Sequence, residues 1–484
     1  MTRALAPTLL GLALAATAAP GCTGSPPIEV HPKTPATIEP AVTTATTADG
    51  GVGGGDEVAT AADPPPAPPP ALTVPAGALD PLFAALALAE RGDPAGRAAV
   101  VVFGDSHTAG DHMTGTLRRE LGGRFGDAGR GFVLAGRPPI RHYYQRDVRY
   151  GSDGKWQAEL GGKRDAEGPF GLAGVRAHAV KKDATAWVES CDQCGSDRVG
   201  RFDVYYLRRK DSGALAYRLD DGPWQKLTTR LEATAMEERA AAVLSVPTTG
   251  ERHRLSLRPA GGGSIDLFGV ALERGTPGVV VDALGVVGRR LGHLRSWDWD
   301  VIGPQLAARA PALVVLQYGT NEADDPTLDL VALARNHDEV IAQVRQHVPG
   351  AAILVLGPPD MAKRAGGKAC DKLPPPPPVD EFGDGGMPLE CQWRTPPLLL
   401  QVIEVQREAA ARHGVAFFDS LAAMGGAEQM DVFFRMEPPL AYSDHVHFTQ
   451  PGYDLWGKRL LESLLAEYEA WKIRNSPPAS VVGP

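Results

Sequence analysis

The chain has 484 residues, 43% of them hydrophobic, which is too long for one small domain and enough to bury sizeable cores. Its net charge of −9 argues against a general nucleic-acid binder, which would carry a basic face. Much of the excess of glycine (56) and proline (43) lies in the first 80 residues and in one later loop.

The N-terminus reads as an export signal. Arg3 supplies a positive start, and "LLGLALAATAA" is a hydrophobic stretch of signal-peptide length, too short for a membrane span. It ends at "APGC", where Cys22 resembles the lipidated cysteine of a bacterial lipobox, with Ala19 and Pro20 replacing the more usual residues. Residues 1–22 are therefore expected to be a leader ending at a lipid anchor, with a soluble secreted form as the alternative. Thr23 does not resemble an inner-membrane retention signal, so an outer-membrane lipoprotein facing the periplasm or cell surface is expected. Residues 23–78, with "TTATTADGGVGGGDE" and "PPPAPPPA", cannot bury a core and read as a flexible tether.

From residue 79 the pattern becomes globular. "AAVVVFG" (98–104) is an apolar run ending in glycine, the mark of a strand buried on both faces. Similar runs recur at 279–283, 312–319, 351–357 and 415–420, with helical patterns at 328–347, 398–413 and 451–473. In the last helix Tyr453, Trp456, Leu460, Leu464, Tyr468 and Trp471 share one face. Buried strands alternating with helices predict an α/β fold, a parallel sheet covered on both sides, built from residues 79–145 and 276–475. Between them, residues 146–275 change rhythm. "RFDVYYLRR", "ALAYRLDDGPWQKL" and "RHRLSLRPAGGGSIDLFGVALE" read as strands joined by turns, which predicts an inserted antiparallel β-sandwich module. Residues 476–484 read as a disordered tail.

Setting Cys22 aside leaves Cys191, Cys194, Cys370 and Cys391. An even number in an oxidising compartment favours two disulfides, Cys191 with Cys194 and Cys370 with Cys391. The rival is a four-cysteine zinc site, disfavoured because Cys370 and Cys391 are 21 positions apart. The second pair brackets a proline-rich loop, 372–397, which follows a buried strand and so borders the expected crevice.

Four polar blocks stand out: "GDSH" at Ser106, "DALGVVGRR" at Gly288, "YGTNEA" at Asn321, and "SDHVHFT" with Asp444 three residues before His447. Singly, these read as turns and helix caps, and a DxxH pair also suits half a metal site. Together they fall in order, and the first three directly follow buried strands. The set resembles the SGNH/GDSL hydrolase superfamily, whose name-giving serine, glycine, asparagine and histidine would be Ser106, Gly288, Asn321 and His447. The resemblance implies a flavodoxin-like three-layer α/β/α sandwich. A narrower resemblance, carried by "GDSHTAGDHMTGTLRREL" and "RFGDAGRGFV" before a β-rich insertion, is to peptidoglycan O-acetylesterases and related envelope polysaccharide esterases, in which the inserted module is like a carbohydrate-binding domain.

The implied chemistry uses Ser106 as nucleophile, His447 as base and Asp444 as the group that orients the imidazole. The Ser106 and Gly288 backbone N–H groups and the Asn321 amide would form the oxyanion hole. No metal and no organic cofactor is required. His107 is expected to be structural or substrate-facing, His445 to point away from His447, and Glu322 to support the site, cap a helix or stand solvated. In the insertion, Trp187, Tyr205, Tyr206, Tyr217 and Trp224 are either core or sugar contacts. Lys181, Lys182, Arg208 and Arg209 are either solvated or face an acidic glycan.

The expected activity is removal of O-acetyl groups from a cell-envelope or extracellular polysaccharide such as peptidoglycan, through an acyl-Ser106 intermediate. An O-acyltransferase using the same residues and an inactive glycan-binding lipoprotein are the alternatives. The expected partners are the acetylated glycan and, through Cys22, a membrane, with no nucleic acid.

Overall fold

The five apolar runs read from the sequence pair side by side. The computed structural model describes residues 71–136, 143–153, 155–163, 166–191, 198–372 and 388–476. Its first sheet runs Leu72–Thr73, Ala416–Phe418, Ala352–Leu356, Leu313–Gln317, Arg97–Gly104, Gly278–Gly285. The last five strands are parallel, and Leu72–Thr73 adds an antiparallel edge. Numbered along the chain, the parallel strands lie 2-1-3-4-5, the flavodoxin-like winding, whose switch point falls between Arg97–Gly104 and Leu313–Gln317.

Alternate side chains of each strand enter two different cores. Val101, Phe103, Val314, Leu316 and Ile353 pack with Leu306 and Val340 on one face. Val100, Val102, Leu313, Val315 and Leu354 pack with Leu117 and Trp456 on the other. Burial on both faces is why these segments show continuous apolar runs instead of alternation. In the helix Gln450–Asn475, Tyr453, Trp456, Leu460, Leu464 and Tyr468 are buried, and Trp471 is partly so.

The insertion is two antiparallel sheets. One runs Gln225–Thr228, Ala214–Leu219, Arg254–Gly261, Ala186–Glu189, Arg149–Ser152. The other runs Arg239–Pro247, Arg201–Arg209, Ile265–Glu273, Val175–Ala179, Gln157–Leu160. Phe202, Val204, Leu215, Leu255, Leu257 and Leu267 fill the space between them. The outer face of the second sheet is also buried. Tyr205, Leu207 and Phe268 pack with Leu284, Trp299 and Ile302 of the α/β layer in one shared core.

Two boundaries differ from the sequence reading. Gly131–Val133, placed before the insertion, pairs with Ile265–Glu273 and belongs to the inserted sheet. Leu72–Thr73, inside the stretch assigned to the tether, is already a strand, and Leu72 packs on the core. Both segments are too short to show a period.

A buried ionic seam ties the insertion to the parallel sheet. Arg309, 1% exposed, donates to both Asp282 oxygens at 2.6 and 3.1 Å and reaches Glu273 at 2.7 Å. Arg97 also donates to Glu273, at 2.9 and 3.0 Å, and the Phe132 N–H donates to Asp282 at 2.7 Å. Burial alone would raise the Glu273 pKa, but the charges of Arg309 and Arg97 outweigh it and hold that carboxyl at about 2.

Cys370 and Cys391 are joined by a disulfide, which removes two sulfurs from the zinc alternative. Cys191 is also disulfide-bonded, and Cys194 lies outside the described residues. So do the leader, Cys22, the tether through residue 70, and the tail from 477. Among the described residues no helix is long and apolar enough to cross a membrane.

Candidate active site

Two glycines make the room in which the Ser106 turn sits. Gly104 and Gly285 are register partners at the ends of adjacent parallel strands. A methyl on Gly104 would lie 2.2 Å from Thr108 Oγ1, and one on Gly285 would lie 2.1 Å from the Ala109 nitrogen. Their absent side chains let the one-turn helix Ser106–Ala109 rest directly on the strand ends. Asp105 caps that turn, its Oδ1 accepting the His107 N–H at 2.9 Å. Thr108 Oγ1 donates to Gln317 Oε1 at 2.8 Å, tying the turn to the neighbouring strand. Ser106 is half-buried while Asp105, His107 and Thr108 are fully buried, so the serine is the residue presented outward.

Gly285→Ala therefore drives a methyl into backbone. The expected result is a loss of about 1–3 kcal/mol in stability, as for other overpacked sites, with reduced ester turnover. Gly123→Ala, inside the helix Met113–Phe125 where the added methyl meets nothing within 4 Å, leaves turnover unchanged and raises stability by about 0.5–1 kcal/mol. Urea unfolding and turnover of a small acetyl ester check the pair.

His447 reaches Ser106 from the loop before the last helix. Its Nε2 lies 2.8 Å from Ser106 Oγ, and its Nδ1 lies 2.7 Å from Asp444 Oδ2. The other Asp444 oxygen accepts the N–H groups of Val446 and His447 at 3.0 and 2.9 Å. One carboxylate thus fixes both the ring and the backbone that carries it. An ionised carboxylate only accepts, so Nδ1 carries the imidazole hydrogen and Nε2 is free to accept the serine proton. Burial works to raise the Asp444 pKa, but hydrogen bonds from the His447 ring and from two backbone N–H groups hold it at about 2. Burial pulls the His447 pKa down, and the hydrogen bond and charge of Asp444, with the charge of Asp105, raise it above its ordinary value.

Gly288, with φ of 72°, occupies a turn closed by the Arg289 N–H on the Val286 carbonyl at 3.1 Å. A methyl on Gly288 would meet nothing within 4 Å, so the backbone angle, not crowding by the protein, favours glycine there. Asn321 Nδ2 donates to the Arg289 carbonyl at 3.0 Å, which joins the asparagine to the glycine turn. Glu322 is buried and accepts the N–H groups of Leu291 at 2.8 Å and Gly319 at 3.1 Å. It clamps the two loops together instead of standing solvated, and burial raises its pKa.

A cleft of about 480 Å³ opens over the serine, lined by Ser106, His447, Asp444, Val287, Tyr144 and Tyr442. Tyr144 and Tyr442 are about half exposed, at 52% and 53%. Neither tyrosine was singled out in the sequence. The only signal at Tyr442 is its place two residues before Asp444, and Tyr144 lies on an irregular loop. That loop is held by the Tyr144 N–H on the Ala109 carbonyl at 3.1 Å and by Asp111, which accepts the Arg146 N–H at 2.9 Å. Among the described residues no group of three or more His, Cys, Asp or Glu could hold a metal ion.

The other candidates divide. His107 is buried with its Nδ1 3.0 Å from the Tyr453 hydroxyl, a brace behind His447. Burial and the charge of His447 push its pKa well down. His445 turns away, stacked 3.6 Å from the Trp393 ring with its Nε2 3.0 Å from Asp431. Tyr205 and Tyr206 are core, and Tyr217 donates to Gln225 at 2.6 Å. Trp187 and Trp224 lie under arginines. Arg209 pairs with Asp211 and Asp266, Arg208 donates to the Arg230 carbonyl, and Lys181 and Lys182 are exposed.

Residues 250–455 match the model of the GDSL-like Lipase/Acylhydrolase family. A solved peptidoglycan O-acetylesterase structure is similar over 83% of this chain and 99% of its own, at 24% identity and a TM-score of 0.63, which shows a common fold. A family two carbohydrate esterase from Clostridium thermocellum, solved with cellohexaose, aligns over 65% of this chain and 99% of its own at 11% identity and a TM-score of 0.26. No curated protein matches the chain by sequence.

Proposed function

We propose that this chain, an SGNH/GDSL-type serine esterase, is an exported enzyme that removes O-acetyl groups from a cell-envelope or extracellular polysaccharide such as peptidoglycan. The observation that carries the chemistry is the unbroken line from Asp444 through His447 to Ser106, with contacts of 2.7 and 2.8 Å. What supports a polysaccharide is the likeness to a peptidoglycan O-acetylesterase, which extends over the inserted β-layer as well as the α/β part. Export and anchoring rest on the leader sequence and Cys22.

In the reaction Ser106 Oγ attacks the acetyl carbonyl carbon as its proton passes to His447 Nε2. The carbonyl oxygen becomes an oxyanion facing the Ser106 N–H, the Gly288 N–H and the Asn321 amide. Each such donor contributes about 3–4 kcal/mol to the transition state. The intermediate collapses, the sugar oxygen leaves with the proton from His447, and acetyl-Ser106 remains. Water then attacks the acyl carbon, giving its proton to His447, and acetate departs as Ser106 regains a hydrogen.

Acetate release from a panel of O-acetylated glycans, peptidoglycan among them, tests the reading. Release from at least one polymer, with none from Ser106→Ala, is expected. Turnover of a small ester with no polymer deacetylated would overturn the polysaccharide assignment.

The base works only when neutral. Because the folded-state pKa of His447 is raised above 6.5, kcat/KM should fall about tenfold per pH unit on the acid side, starting above pH 6.5. A profile flat between pH 5 and 8 would remove His447 from that role.

A further inference from the structure

We propose that the outer face of the five-stranded inserted sheet binds an acidic polysaccharide, gripping its anionic groups with arginines stacked on tryptophan rings. The proposal deepens the reading that the cleft works on a polysaccharide, and rests on it for the link between face and cleft.

Strand alternation sorts the two faces. Leu255 and Leu257 enter the core, while Arg254 and Arg258 emerge on the other side, with Ser256 between them. In register, Ser256 lies opposite both Trp187 and Arg218 and is buried beneath its neighbours. The Arg254 guanidinium sits 4.0 Å from the Trp187 ring centre. Those of Arg258 and Arg218 sit 4.0 and 4.9 Å from the Trp224 ring centre. Lys226 stands exposed on the neighbouring strand.

Among the described residues, these four cations have no carboxylate partner. Glu189 is the one acid in register, opposite Arg254 on one side and Arg149 on the other. Asp220, at the margin, is already held by His253 at 2.7 Å. A cluster of this sign runs against the chain's net charge of −9. Stacking immobilises a guanidinium while leaving its N–H edge able to meet a carboxylate or phosphate. The preorganised donors and the ring edges together suit a chain of sugars carrying anionic groups.

The face is also linked to the cleft along the chain. Its edge strand Arg149–Ser152 begins a few residues after Tyr144, which lines the cleft with Ser106. Such a segment spans at most about 18 Å. On this proposal one glycan lying on the face reaches the serine with another of its sugars.

Polygalacturonate free of acetyl groups is the probe, because it has nothing for the cleft to hydrolyse. In affinity gels it should retard the wild-type protein, dextran should not, and the retardation should weaken steeply from 50 to 500 mM salt. Arg218→Glu with Arg258→Glu should weaken binding at least tenfold. The exposed Lys226→Glu should weaken it by about threefold without threatening the fold. All three proteins should hydrolyse 4-nitrophenyl acetate equally, which shows they are folded. Retardation by dextran to the same degree, undiminished binding by the double variant, or tighter binding to double-stranded DNA would each overturn the proposal. Loss of acetate release from glycans with polygalacturonate binding intact would instead overturn the function of the cleft.

Discussion

Ser106→Ala should lower kcat for a small acetyl ester by about 10⁴-fold or more. The hydroxyl is the atom 2.8 Å from His447 Nε2, and among the described residues nothing else lining the cleft offers a nucleophile in that position. The change removes one oxygen from a half-buried side chain, so the fold should survive, with an unfolding midpoint within error of wild type. The Ser106 N–H, the glycine turn and Asn321 stay in place, so a small residual rate over water is expected from the remaining oxyanion donors. Activity within tenfold of wild type would mean that the attacking group lies elsewhere. Stopped-flow measurement should show a burst of released alcohol in the wild type, if deacylation is slower than acylation, and none in the variant.

The second large effect concerns stability. Arg309→Leu should cost about 3–5 kcal/mol, read from urea unfolding. The substitution leaves Asp282 fully buried and Glu273 nearly so, with the Arg97 guanidinium and the Phe132 N–H as their remaining partners. The exposed pair Arg295–Glu339 is the contrast, and Arg295→Ala there should cost less than about 1 kcal/mol. The Glu273 pKa, depressed to about 2 from 4.5, adds a pH signature. Its stabilising share is complete above pH 4.5 and is lost as pH falls through about 2. In Arg309→Leu the Glu273 pKa rises, so that share shrinks and the variant loses less to acidification than wild type does. A cost below 1 kcal/mol would mean that the apolar contacts alone hold the two layers together.

The catalytic layer was legible in the sequence for a physical reason. Strands buried on both faces show as unbroken apolar runs, and the polar residues after each run had to lie at one edge of the sheet. That argument put Ser106 and Asn321 at the sheet edge, and the resemblance to the family's DxxH block singled out His447, whose ring lies 2.8 Å from Ser106 Oγ. The same argument could not find Tyr144 or Tyr442, because irregular loops have no period. It left the adjacent Tyr205 and Tyr206 open between core and sugar contact. Neighbours on a strand point oppositely, and here both faces are covered. The strand is sealed on both sides, with Tyr205 in the core shared with the α/β layer and Tyr206 in the sandwich core. The ionic seam was invisible for a similar reason. Arg309 and Asp282 are 27 positions apart, and a basic residue in the last turn of a helix reads as an ordinary solvated end.

The pairing of Arg97–Gly104 with Gly278–Gly285 has a kinetic consequence. Closing so long an intervening segment in one step is entropically expensive, and a fold rich in such distant contacts assembles slowly. Prior formation of the antiparallel layers would bring the two segments near each other and shorten the effective loop. On this route the β-insertion acts as an internal scaffold for maturation, and the glycine-lined seat of the serine is among the last features to form.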